Sequence, residues 1–169
     1  MRLLSAIAAD RRGAAAIEFA MVAAPFLALM IAILETGLYF FADEVLQTAT
    51  AQAARAIMTG QAQSGGMTAA QFQNNVCTNA APMLSCASLY VNAQTFKSFG
   101  GVAPLNPLVS GSVNTAALNY QMGGPGDIVM VQVFYQWPVI AGPLNFNLAN
   151  MSGNNNLLVA TVVFRNEPY

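Results

Sequence analysis

The chain has no histidine and only two cysteines, Cys77 and Cys86. Without histidine there is no Ser-His-Asp triad, no Cys-His dyad and no His-based zinc site. The cysteines are not spaced C-x-x-C, which excludes a thioredoxin-like redox motif. No Walker or Rossmann glycine pattern occurs. Gly123-Gly124-Pro125-Gly126 precedes a strand-like run and lacks a following helix or lysine, so it reads as a loop rather than a phosphate cradle. Charge is also scarce, at 8% of residues. Soluble domains average about 25%. Residues 61–169 hold only Lys97, Asp127, Arg165 and Glu167. Phosphate binding needs clustered Lys and Arg, so no nucleic-acid partner is expected. No catalytic residues, no metal site and no cofactor emerge, and the expectation is a protein that is not an enzyme.

Against these absences stands one long apolar run. Arg11, Arg12 and Gly13 introduce it, and it continues to Phe41 with one acid near each end, Glu18 and Glu35. Phe19 to Leu34 carries no charge. Read as one helix, Ala14 to Phe41 is about 42 Å long at about 1.5 Å per residue. A bilayer core needs about 30 Å. Both acids then fall near the interfaces of a transmembrane helix. Pro25 lies inside the span, where it removes one backbone bond and predicts a kink of the kind membrane helices tolerate. Arg2, Arg11 and Arg12 precede the run, and no basic residue follows it until Arg55. The positive-inside rule puts the N-terminus in the cytoplasm and the rest outside. A cleaved secretory signal fits less well. Its apolar h-region would be about 7–15 residues long, shorter than this run. The small-residue site Ala49-Thr50-Ala51 also lies inside a continuing helical pattern.

That pattern places Leu38, Phe41, Val45, Ala49, Ala53 and Ile57 on one face. It extends the helix to about Met58, with Gly60 as its stop. Residues 61–66 read as a linker. Thr68 and Gln71 form a capping-box pattern. Ala69, Phe72 and Val76 share a face, which predicts a short helix over 68–80. Strands are expected at Leu89–Phe96, Ile128–Trp137 and Leu157–Phe164, and the proline- and glycine-rich stretch 100–126 reads as loop. The fold class is α+β: a long N-terminal helix packed on a small, mainly antiparallel sheet with short helices. The expected organisation is a leader at 1–13, the spanning helix and its amphipathic extension at 14–60, and an outer domain at 61–169. On the outer side an oxidising compartment favours a Cys77–Cys86 disulfide. Closing that loop contributes on the order of 2–3 kcal/mol.

Glu18 has two readings. A cut after Gly13 would create an Ala14 amine for Glu18 of a neighbouring chain to meet. Alternatively, Glu18 is an interfacial acid favoured by the helix N-terminus. A short basic leader ending in glycine, then an apolar helix with glutamate in fifth place, resembles type IV prepilins. Arg11–Ala20, the run led by Pro25 and Glu35-Thr36-Gly37 are similar to the TadE/TadG family of tight-adherence (Flp) pilus assembly proteins. So are Pro125-Gly126-Asp127, Tyr135, Trp137-Pro138 and the ending Val162–Tyr169. The resemblance implies a membrane-anchored, pseudopilin-like or minor-pilin subunit that assists assembly or secretion of Flp pili. It implies cleavage by a prepilin peptidase between Gly13 and Ala14, with Glu18 and Phe19 serving recognition and assembly. The implied location is the bacterial inner membrane, single-pass, with the outer domain periplasmic. The implied partners are the peptidase, other pilus-assembly subunits and the Flp major pilin. Whether the protein enters the pilus stays open. The Flp major pilin has little beyond its helix, so the outer domain argues for an accessory role. The alternative is an uncleaved, signal-anchored periplasmic binding module.

Overall fold

The computed structural model describes residues 13–139 and 147–169. The leader residues with Arg2, Asp10, Arg11 and Arg12 lie outside that set. Helix α1 runs unbroken from Ala14 to Met58, passing through Pro25. At about 1.5 Å per residue it is about 67 Å long. It ends because Gly60 takes the left-handed conformation at φ +77°, which costs glycine nothing. The ring of Tyr169 packs over Gly60 so closely that any Cβ there would collide with it.

The two parts of α1 have different surroundings. Along Ala14–Phe41 nearly every large apolar side chain is exposed, among them Phe19, Phe26, Ile33 and Phe40. From Ala42 onward one stripe is sealed. Ala42, Leu46, Ala49, Ala53 and Ile57 are at most 2% exposed, and they recur three or four residues apart, the period of one helix face. The three alanines among them let the helix axis approach the sheet closely.

The sheet has three antiparallel strands in the order β1 (Leu89–Phe96), β4 (Ile128–Pro138), β5 (Asn155–Arg165). Val129, Val131, Val133 and Tyr135 of β4, with Leu158 and Ala160 of β5, pack against the α1 stripe. Helix α3 (Ala69–Ala80) adds Phe72, Val76 and Ala80 to this core. The expected capping box holds it: the Thr68 hydroxyl accepts from the Gln71 amide, and the Gln71 side chain accepts from the Thr68 amide at 2.8 Å. Cys77 and Cys86 are joined, with Cα atoms 5.4 Å apart, and tie the end of α3 to the segment entering β1.

Two stretches differ from the sequence reading. The expected linker contains a one-turn helix, α2 (Gln61–Ser64), because the turn at Gly60 tucks Ala62 into the core. The expected loop at 100–126 is a cover for the back of the sheet. It contains a small hairpin, β2 (Leu108–Val109) and β3 (Ser112–Val113). Leu108, Val113 and Leu118 pack with Phe134, Met151 and Leu157 on the face opposite α1. Two buried polar side chains fix the cover. Gln132 accepts from the Leu105 amide at 2.9 Å and donates to the Leu105 carbonyl at 3.4 Å. Asn92, opposite Gln132 in the register, accepts from the Asn119 amide at 2.9 Å. Backbone bonds from Ala93 to Asn119 and Gln121 close the free edge of β1. Tyr120 lies beside Phe72, and burial pushes its phenol up to about 12.

Antiparallel β4 and β5 set Arg165 opposite Ile128, next to Asp127, a register in which the two charges would be expected to pair. Arg165 and Asp127 do not pair: the Arg165 Nε donates to the Gly126 carbonyl at 2.9 Å, and the Asp127 carboxylate accepts from the Gly124 amide at 2.8 Å. Asn166 is the tail residue that the core holds. It is 2% exposed and its Nδ2 donates to the carbonyls of Met122 and Gly124 at 2.9 and 3.0 Å. The Glu167 amide then donates to the Met58 carbonyl at the end of α1 at 2.9 Å. Replacing Asn166 with alanine should cost about 1–2 kcal/mol, because two part-buried carbonyls each lose one of their two donors, Gln63 and the Asp127 amide remaining. Arg165→Ala, at an exposed position, should cost less than about 1 kcal/mol. Thermal unfolding of the two variants checks the order.

Candidate assembly site on the long helix

The sequence-expected residues Gly13, Ala14, Glu18 and Phe19 come together in the first turns of α1. Gly13 occupies the N-cap position at φ −79°, ψ −15°, with no side-chain cap. Among the described residues, a Cβ at Gly13 would meet nothing within 4 Å. Glu18 is exposed and Phe19 is 74% exposed. This end of the helix is thus an open apolar rod with one acid on it and, among the described residues, no part of the folded domain against it. Such a surface can insert in lipid, present its first peptide bond to another protein, or pack against copies of itself. Cys77 and Cys86 belong to the α+β domain and take no part here.

A second acid on the same helix has a different setting. Glu35 is only 8% exposed, and neither carboxylate oxygen has a hydrogen-bond partner among the described residues. It borders a cavity of about 170 Å³ lined by Ile31, Leu34, Leu38, Trp137 and Pro138. The sequence reading placed Glu35 only at an interface. Its burial was hidden because Trp137 and Pro138, from the end of β4, are remote from it in the chain. The spacing 35, 39, 42, 46 was the available signal, since it continues the buried stripe of α1 back through Tyr39.

The opposite pole of the domain collects charge. β4 runs from Ile128, near the end of α1, toward Trp137 beside Leu34 and Leu38. Lys97, Asp127 and Arg165 line a cleft at the Ile128 end, far from the exposed part of α1. Asp127 and Arg165 already bond loop backbone, so this pole is a solvated cap on the domain. Among the described residues no group of three or more Cys, Asp or Glu could hold a metal ion.

Helix α1 is long and apolar enough to cross a membrane, and only 6% of its most apolar window is buried. A core helix of a soluble protein passes the same test of length and composition but is mostly buried. Residues 13–55 match the family model described as TadE-like protein. No curated protein and no solved structure matches the chain.

Proposed function

We propose that this chain, which is TadE-like over residues 13–55, is a single-pass, membrane-anchored accessory subunit of Tad (Flp) pilus assembly. The TadE-like segment relates it to Tad pilus proteins. The finer role is our reading: a pseudopilin-like or minor-pilin subunit, cut by a prepilin peptidase between Gly13 and Ala14, with its outer domain in the periplasm. It performs no catalytic step and works through contacts with the peptidase, other assembly subunits and the Flp major pilin.

The observation that carries this reading is the division of one continuous helix. Its first part offers apolar side chains to the surroundings, and its second part is the core of the outer domain. A secretory cut at Ala49-Thr50-Ala51 would remove Ala42 and Leu46, which are 0% exposed, from that core. The helix therefore serves as a permanent anchor, and removal of a leader at Gly13 is the cut that leaves the domain whole.

The test is the mass of the membrane-purified protein. It should correspond to a chain beginning at Ala14. A chain beginning at Met1 would favour the uncleaved anchored binding module, and one beginning beyond Phe41 would show a secreted protein.

A further inference from the structure

The charges of the α+β domain are segregated. From Ile128 through Phe164 the sequence carries no charged residue. β4 begins at the pole of Lys97, Asp127 and Arg165 and extends away from it by about 30 Å, at about 3.3 Å per residue. Its far end carries Trp137, half-buried, and Pro138, exposed. These two line an apolar recess of about 170 Å³ with Ile31, Leu34 and Leu38 of α1. Glu35 borders the recess, but its carboxylate oxygens are sealed and add no polar surface to it.

The height of the recess on α1 decides what it meets. Ala14–Phe41 is about 42 Å long, and a bilayer with its headgroups is about 40–45 Å thick. With Ala14 at one surface, Phe41 reaches the other. Leu34 and Leu38 then stand where acyl chains give way to headgroups. Phe40 and Phe41 lie beyond them along the helix and are 65% and 59% exposed. A membrane that covers these two rings also covers the level of Trp137. The end of β4 therefore lies beside the last turns of the span, not above the lipid. Tryptophan is enriched at this depth, since its ring is apolar and its N–H polar. Water fills an apolar recess poorly, because each molecule needs about two to four polar partners. An acyl chain has no such need.

We propose that the end of β4 is a second membrane contact of this chain. Trp137 and Pro138 insert in the interfacial layer of the leaflet next to the domain, and an acyl chain fills the recess against Leu34 and Leu38. The partner is the lipid surface itself, met through apolar contact rather than headgroup charge. The contact restrains the tilt of the domain against the membrane plane. The proposal rests on the membrane-anchored reading above.

Trp137 is the single tryptophan of the chain, so the emission of the unaltered protein reports on the site. The full chain is reconstituted in phosphatidylcholine vesicles whose acyl chains carry bromine either near the headgroup or near the methyl end. Trp137 should lose most of its emission to the shallow bromines, less to the deep ones, and little to iodide present on both sides of the membrane. Two variants that also carry Trp137→Phe calibrate the depths. Phe26→Trp, near mid-span, should be quenched most by the deep bromines. Phe99→Trp, exposed at the charged pole, should be quenched by iodide and by neither lipid. Quenching of Trp137 by iodide and by neither lipid overturns the proposal, because the strand end then stands clear of the membrane. Equal or stronger quenching by the deep bromines overturns the interfacial position. Protection from all three quenchers overturns the proposal in favour of a protein cover over the recess. In each case Phe26→Trp separates the two readings: deep-bromine quenching there refutes the strand-end contact alone, and its absence refutes the anchor as well.

Discussion

Replacing Gly13 with leucine is expected to leave the chain in the membrane at full length, with no detectable product beginning at Ala14. Gly13 stands at the N-cap of α1 in helical geometry, so the bond to Ala14 lies where the helix begins. A peptidase needs that bond extended, and the first turn must therefore open. Glycine assists in two ways. It disfavours the helix by about 1 kcal/mol relative to alanine, and it places no side chain beside the bond. Leucine reverses both, since it propagates helix well and adds bulk at the point of attack. The substitution is clean, because among the described residues nothing lies within 4 Å of a Cβ at this position and the α+β domain is untouched. Intact-mass measurement of the membrane fraction gives the answer, and normal processing of Gly13→Leu would remove the glycine requirement. Glu18→Gln should separate cutting from assembly. Glu18 is exposed and lies beyond the first turn that must open, so the variant should be cut normally and fail to support pili. Pili formed at wild-type levels by Glu18→Gln would leave only the interfacial role for that acid.

What the sequence revealed and what it hid follow from the range of the interactions involved. Helix α1 was legible because its exposed apolar positions and its core-facing positions both follow local rules of composition and period. The β4 run Ile128–Tyr135 was legible as a strand but not as to why it is apolar throughout. The structure supplies the reason: α1 covers one face and residues 105–118 cover the other. That cover was read as loop because Pro104, Pro107 and its glycines are turn formers, and its attachment runs through polar residues. Gln132 and Asn92 sit in strands where a polar residue ordinarily marks a solvent face. In the tail, Arg165 and Glu167 drew attention as rare charges, while the uncharged Asn166 between them carries the buried bonds. Glu35 illustrates the same limit. Its expected position at an interface followed from helix length, but the cavity it shares with Trp137 and Pro138 joins segments remote in the chain, which no local pattern encodes.

The attachment of the back cover can be tested through Gln132→Leu, for which the expected loss is about 3 kcal/mol, a large fraction of the roughly 5–15 kcal/mol that stabilises a domain. Gln132 is 1% exposed, and three groups turn to it: the amide and carbonyl of Leu105 and the side chain of Asn92, whose Nδ2 donates to Oε1 at 3.3 Å. Leucine has a similar volume and leaves no cavity, so packing is nearly preserved while all three polar groups lose their partner. Each orphaned group costs about 1–3 kcal/mol if it stays buried. Partial release of the cover lets water reach Leu105 and limits the total. That release predicts a second signature. The Asn119 amide, held by Asn92, and the Leu105 amide should exchange hydrogen faster in Gln132→Leu, while amides of β4 and β5 exchange at rates set by global stability alone. Gln94→Leu is the matching control. Gln94 is half-buried and only donates to Asn92 at 3.3 Å. Its loss should cost less than about 1 kcal/mol and leave Leu105 protected. Urea unfolding of the disulfide-intact chain gives the first quantity and amide exchange the second. An unchanged unfolding midpoint, together with unchanged exchange at Leu105 and Asn119, would mean that apolar contacts around Phe134 hold the cover without help from the buried amides.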